Sequence, residues 1–225
     1  MTSVTSQLVI PAQSGSWSAS KTVPAFGNAS ALSCRECGAS FDLGGQHACT
    51  ECFGPLEVIY DLPPLTRAVI ESGPPNIWRY VSLLPVRPDI ATMRTTEPGR
   101  TPLVRADNLA RVLGMRTLWV KDERANPTHS FKDRVVAVAL AAALELGYRV
   151  LACPSTGNLA NAVAAAAARA GIEAVVLVPA NLEPEKILAS AAYGCRLVKV
   201  EAGTTTSTGW PRNSPRSGTT GRSST

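Results

Sequence analysis

No stretch of this chain reaches the roughly 18 uninterrupted apolar residues that a membrane-spanning helix needs. The alanine-rich run from Leu159 to Ala170 is shorter and carries Asn161 and Arg169. The N-terminus has no basic start followed by a long apolar segment, so a secretory leader is not expected. Aromatic residues are sparse, at 5%, and the formal charge of +5 forms no stripe. Arg212, Arg216 and Arg222 supply three of those charges within residues 202–225, which hold no acid. Basic residues without interleaved aromatics leave no nucleic-acid footprint. The sequence therefore argues against membrane and nucleic-acid partners, and the cytoplasm is the expected compartment. In a reducing compartment the six cysteines favour metal binding or burial over disulfides.

The chain has 225 residues, 45% of them apolar, which is room for one moderate α/β domain plus a small module. Four regions are expected. Residues 1–28 are rich in Ser, Thr and Ala and read as a mobile arm, with a short strand around Leu8–Ile10. Residues 29–62 form a compact cysteine module. Residues 63–201 carry the α/β domain, and residues 202–225 a tail of Gly, Thr, Ser, Pro and Arg that cannot bury a core.

Within the third region a regular pattern starts at Arg100. Strands are expected at Thr117–Asp122, Arg149–Cys153, Glu173–Val178 and Cys195–Val200. Helices are expected at Phe131–Leu146, Gly157–Ala170 and Glu183–Tyr193, each stopped by a glycine: Gly147, Gly171 and Gly194. Strands alternating with helices of this length imply a parallel sheet with right-handed crossovers. Their Val, Leu and Ala content suits a sheet covered on both faces, a three-layer α/β fold.

In the cysteine module, Cys34-x-x-Cys37 and Cys49-x-x-Cys52 are separated by eleven residues. Thiolate pairs at this spacing wrap a metal with backbone amides aimed at sulfur, and two pairs complete a tetrahedral zinc site. Four cysteines close the shell, so such a zinc is structural, and His47 is left at the surface. Two disulfides, four free thiols, or iron at the same ligands are the competing readings. Cys153 and Cys195 lie in or at strands and read as small buried residues rather than nucleophiles.

Two strand-to-helix junctions carry the chemistry. The run Asn126-Pro-Thr-His-Ser-Phe-Lys-Asp-Arg134 leaves Lys132 between an aromatic residue and an acid at the start of an apolar helix. A helix N-terminus disfavours an ammonium there and so helps release the amine. About twenty residues later, Pro154-Ser-Thr-Gly-Asn158 places hydroxyl and amide groups before another helix. Taken alone, Lys132 reads equally as a solvated helix-end lysine, and the second loop as an ordinary helix N-cap.

Lys121–Arg134 resembles the lysine motif of the fold-type II pyridoxal phosphate enzymes, most closely that of the threonine synthases. Ile77-Trp-Arg-Tyr80, Gly99-Arg-Thr-Pro-Leu-Val104 and Leu151-Ala-Cys-Pro-Ser-Thr-Gly-Asn158 add to the resemblance, which covers about residues 30–201. Many members also carry an N-terminal zinc ribbon. The resemblance implies that Lys132 holds the aldehyde of pyridoxal 5'-phosphate covalently and that Asn158 bonds the cofactor's ring oxygen. It implies that Ser155, Thr156 and Gly157 hold a substrate carboxylate, and that Ser130 and Asp133 position the lysine's turn. The partner is then a small amino-acid substrate, and the parent enzyme a homodimer. Two positions depart from the family pattern. His129 and Arg124 stand where glycine is common. A positive φ at His129 would strain the backbone; its ring would alternatively contact phosphate.

The tail has a specific reading. One codon choice for Gly203–Trp210, with a single inserted base, yields G-Y-D-D-V-N-R-L, and a helical run follows in the same frame. A one-base deletion would then have truncated a longer enzyme; the competing reading is a true disordered tail. Three functions are compatible with the whole. One is a threonine synthase-like lyase converting O-phospho-L-homoserine and water to L-threonine and phosphate, here truncated and inactive. The second is another lyase or synthase of the same fold, and the third a non-catalytic zinc-ribbon interaction protein.

Overall fold

A computed structural model describes residues 26–87, 89, 95–183 and 185–201. The strand read at Leu8–Ile10 and the tail 202–225, with its alternative frame, lie outside them.

The cysteine module is a three-stranded antiparallel sheet. Its central strand β1 (Ala29–Cys34) is flanked by β2 (Ser40–Phe41) and β3 (Leu56–Tyr60). Alternation along β1 buries Leu32 and Cys34. Asn28 ties the module to the next segment by donating from Nδ2 to the Ser82 carbonyl at 2.8 Å. Gly27 is required here: its φ is +59°, and a Cβ would lie 2.7 Å from the Val86 carbonyl oxygen. Phe26 and Val86 are both buried.

Helix α1 (Arg67–Ser72) starts at Thr66, whose hydroxyl accepts the Val69 N–H at 3.3 Å. A 3-10 segment, Ile77–Leu83, follows. Its Trp78 is buried, and the indole N–H donates to the Thr96 carbonyl at 3.2 Å. Trp78 and Val86 pack on Ala137 and Ala141 of α3 (Lys132–Glu145).

Before α3 come β4 (Leu103–Arg105), α2 (Asp107–Val112) and β5 (Trp119–Lys121). The strand expected at Thr117–Asp122 exists as β5, but it does not join the parallel sheet. It pairs antiparallel with β4, matching Leu103 to Lys121 and Arg105 to Trp119. β-propensity identifies a strand without identifying its partner.

The parallel sheet has the order β6 (Val150–Pro154), β7 (Glu173–Pro179), β8 (Arg196–Val200). Helix α4 (Asn158–Ala170) connects β6 to β7, and α5 (Glu185–Ala191) lies between β7 and β8. Gly147, Gly171 and Gly194 all have positive φ after their helices, as the sequence pattern anticipates. The core forms where α3, α4 and β7 meet. Ala160, Ala162, Val163, Ala164, Ala166, Ala167 and Ala170 of α4 are all buried. Their small side chains let α4 sit close to both α3 and the sheet, which explains a helix so rich in alanine. Val136 and Leu140 of α3 meet Ala174, Val176 and Val178 of β7 in the same cluster. Burial alternates along β7, and Val175 and Leu177 on its other face are only half-buried. Among the described residues no helix is long and apolar enough to cross a membrane.

Leu140 is fully buried at the centre of this cluster. Leu140→Ala is expected to destabilise the chain by about 2–5 kcal/mol through lost burial and a residual cavity. Denaturant unfolding measures it, and a loss below about 1 kcal/mol would contradict a close-packed core here.

Candidate active site and metal centre

The two cysteine knuckles fold alike. In the first, Gly38 N–H donates to the Cys34 carbonyl at 3.0 Å; in the second, Phe53 N–H donates to the Cys49 carbonyl at 3.0 Å. The residue after each pair is left-handed, with φ of +74° at Gly38 and +60° at Phe53. These turns aim all four sulfurs inward, and the Sγ atoms of Cys34, Cys37, Cys49 and Cys52 lie within 4.8 Å of one another. The Cys34–Cys52 and Cys37–Cys49 sulfurs are 3.4 and 3.6 Å apart. A tetrahedral zinc with bonds of about 2.3 Å separates its sulfurs by about 3.8 Å, so the set fits with little movement.

A cation would ease the electrostatics of this cluster. The Cys37 amide leads in lowering Cys34 to about 7, with hydrogen bonds from neighbouring thiols adding to it. Cys52 is pushed up to about 12: the Gly54 amide lowers it, but Cys34, Cys37, burial and Cys49 together outweigh that. Four thiolates this close cannot all ionise unaided, and a dication removes the conflict. His47 is exposed and stands outside the cluster. Cys153 is buried in β6 and Cys195 half-buried beside β8, and burial pushes both thiols up.

Lys132 is the first residue of α3 and is half-buried. Its Nζ lies 4.7 Å from the centroid of the Phe131 ring. Phe131 takes the N-cap position without a side-chain cap; instead the Lys132 N–H donates to Ser130 Oγ at 3.2 Å. Asp133, 2% exposed, staples the preceding loop by accepting from the Thr128 N–H and hydroxyl, both at 2.8 Å. Ser130 and Asp133 thus hold the lysine's turn.

His129 has φ of +60°, the left-handed strain anticipated for that position. Its Nδ1 is 2.9 Å from the Arg124 carbonyl. A carbonyl only accepts, so Nδ1 carries the proton and is engaged with the backbone. His129→Gly relieves the strain whereas His129→Ala does not, so the glycine variant is expected to be more stable than the alanine variant by about 1 kcal/mol. Equal melting of the two variants would contradict the backbone assignment. Arg124, the other departure, forks onto Asp122 at 2.8 and 2.7 Å; that hydrogen-bonded pair holds the Asp122 carboxyl at about 2.

The second loop leads into α4. Ser155 Oγ accepts the Gly157 N–H at 3.3 Å, and Gly157 is the N-cap. Thr156, Gly157 and Asn158 are exposed. Topology brings this loop and Lys132 to one edge. The C-terminal end of α3 leads through residues 146–149 into β6. The C-terminal end of α4 leads through Gly171 and Ile172 into β7, which runs parallel to β6 with Val150 opposite Glu173. The two helices pack together. Their N-termini, with Lys132 and Asn158, therefore share the carboxyl edge of the sheet, where open α/β sheets bind ligands.

One group of polar residues carries no role in the sequence reading. Glu123 accepts from Arg134 Nε at 2.8 Å and Nη2 at 2.9 Å, from the Thr101 hydroxyl at 2.7 Å and from Asn126 Nδ2 at 2.8 Å. The Arg134 fork leads in lowering the Glu123 carboxyl to about 2. A depressed carboxyl stabilises the fold above the ordinary glutamate range, and that contribution is lost as pH falls towards 2. The available signal was acidic and basic residues spaced across the lysine motif; their pairing needs the fold.

Comparison with known proteins identifies the family to which the chain is similar. Residues 94–212 match the family described as pyridoxal-phosphate dependent enzyme. The threonine synthase of Methanosarcina acetivorans is 39% identical over 173 residues, covering 75% of this chain and 42% of that protein. The threonine synthase of Methanocaldococcus jannaschii is 38% identical over the same shares. The chain thus spans about 42% of the length of these curated relatives. A pyridoxal 5'-phosphate-dependent aspartate racemase structure aligns at 31% identity and a TM-score of 0.42, covering 45% of this chain and 33% of that one. Matched over more than half of its residues, the chain belongs to the pyridoxal-phosphate dependent enzyme family.

Proposed function

We propose that the chain carries the lysine half of a threonine synthase-like site, for O-phospho-L-homoserine and water as substrates and L-threonine and phosphate as products. The observation that carries this reading is the placement of Lys132 and the Ser155–Asn158 loop at one sheet edge, in a chain whose similar relatives are named threonine synthases. The bound cofactor would supply an electron sink for the substrate's amino carbon. The chain's own residues anchor and orient. Lys132 Nζ is the covalent anchor for the cofactor aldehyde, and the Phe131 ring shields one side of it from water. The Ser155 and Thr156 hydroxyls and the first amides of α4 donate to the substrate carboxylate, as helix N-termini do for anions. Asn158 donates its side-chain amide to the cofactor's ring oxygen.

In the ribbon, Cys34, Cys37, Cys49 and Cys52 hold one zinc with no open coordination position. That metal supports folding rather than chemistry.

The test is a titration of the 225-residue chain with pyridoxal 5'-phosphate, followed by visible absorbance. A band that borohydride discharges supports the reading; folded, zinc-loaded protein that develops no band contradicts it. Phosphate release from O-phospho-L-homoserine is expected to be slow in a chain whose described residues hold this half-site. Uptake with faster turnover of another amino acid would assign the site to a different lyase or synthase of the family.

A further inference from the structure

We propose that Glu123 is a positioning residue for Lys132, a role that rests on reading Lys132 as the cofactor anchor. Lys132 lies within the segment 126–134, and both ends of that segment are fastened to the same carboxylate. At the start, Asn126 is 2% exposed and donates from Nδ2 to the Glu123 carbonyl at 2.9 Å as well as to Oε2 at 2.8 Å. At the end, Arg134 forks onto Oε2 and Oε1 at 2.8 and 2.9 Å. One glutamate closes the segment into a ring.

The Thr101 hydroxyl completes the carboxylate at 2.7 Å, and Arg134 Nη2 also reaches Thr101 Oγ1 at 3.3 Å. Each oxygen of Glu123 thus receives two donors, which is all that a carboxylate's lone pairs accept. Asn126 Oδ1 accepts the Gly99 N–H at 3.0 Å, and Lys121 Nζ donates to the Thr101 carbonyl at 2.5 Å. These bonds dock the ring onto residues 99–101, where Gly99 and Arg100 have φ of +118° and +48°. Inside the ring, Asp133 holds Thr128 and Ser130 holds the Lys132 N–H. Little backbone freedom remains at Lys132. A glutamine at 123 keeps the size, but its amide nitrogen meets donors and cannot accept from them.

The experiment measures amide hydrogen exchange in Glu123→Gln, together with labelling of Lys132 by pyridoxal 5'-phosphate and borohydride. Exchange at the Thr128 and Lys132 amides is expected to rise at least tenfold, while Ala166 and Ala167 in α4 stay within threefold of the unaltered chain. Labelling of Lys132 relative to Lys186 is expected to fall at least tenfold. Arg134→Lys keeps the charge but loses the fork, and is expected to fall between; it carries the same readouts should Glu123→Gln fail to fold. Unchanged exchange at Thr128 and Lys132, or a uniform rise that includes α4, would overturn the proposal. If the unaltered chain takes no label at Lys132 while the amides respond as expected, the cofactor reading falls and the positioning of Lys132 stands.

Discussion

Cys49→Ser is expected to strip the N-terminal module of its metal and unfold it. The module has little else to stabilise it. Its longest strands have six and five residues, and Leu32, Cys34 and Cys49 are its buried apolar side chains from residue 29 to 62. Structural zinc contributes on the order of 10–16 kcal/mol in isolated finger peptides, far more than this core supplies. Serine offers a poor ligand where the geometry places a thiolate among three others. The expected result is a drop from one zinc per chain to well under one fifth. Protease sensitivity should rise across residues 29–60, with α3 and α4 still folded. Cys153→Ser is the control: Cys153 lies in β6, outside the cluster, and zinc content should not change. Full zinc retention and unchanged melting in Cys49→Ser would contradict the site.

Lys132→Ala is expected to abolish the visible band of the cofactor-loaded chain outright, because Lys132, at the N-terminus of α3, is the proposed anchor, and Lys186 near the start of α5 and Lys199 near the end of β8 are not expected to replace it. The fold should tolerate the change. Lys132 is half-buried, and its Nζ contacts the Phe131 ring, an interaction of about 0.5–1 kcal/mol at an exposed site. Lys121→Ala provides the contrast. It should keep the band and lose stability, because Lys121 Nζ donates to the Thr101 carbonyl at 2.5 Å. Melting curves and absorbance spectra taken on both variants separate the two roles. A surviving band in Lys132→Ala would assign the anchor to another lysine.

What the sequence made legible is what local spacing controls. Two residues between cysteines fix a knuckle, so the Cys34–Cys52 set emerges from spacing alone. Glycines after apolar runs fix helix ends, so Gly147, Gly171 and Gly194 mark α3, α4 and the turn before β8 within a residue or two. The turn that carries Lys132 is legible because it is local: Asp133 reaches back only to Thr128. The pairing of β5 with β4 was not legible, since Trp119–Lys121 carries strand propensity but no label for its partner. The Glu123 ring was not legible either. Glu123 and Arg134 are eleven residues apart, and Thr101 is a further 22 residues from Glu123 on the other side. Neither periodicity nor spacing reports such contacts. Phe53 shows the same limit at short range. Its left-handed φ becomes apparent only when the second knuckle is laid over the first, where Gly38 holds the equivalent place.

The most direct test of the central claim is reduction of the cofactor-loaded chain with borohydride followed by peptide mapping. The account predicts a single pyridoxyl label, on Lys132, in the peptide that carries Phe131 and Asp133. A label on Lys121 or Lys186, or one spread over several surface lysines, would contradict it.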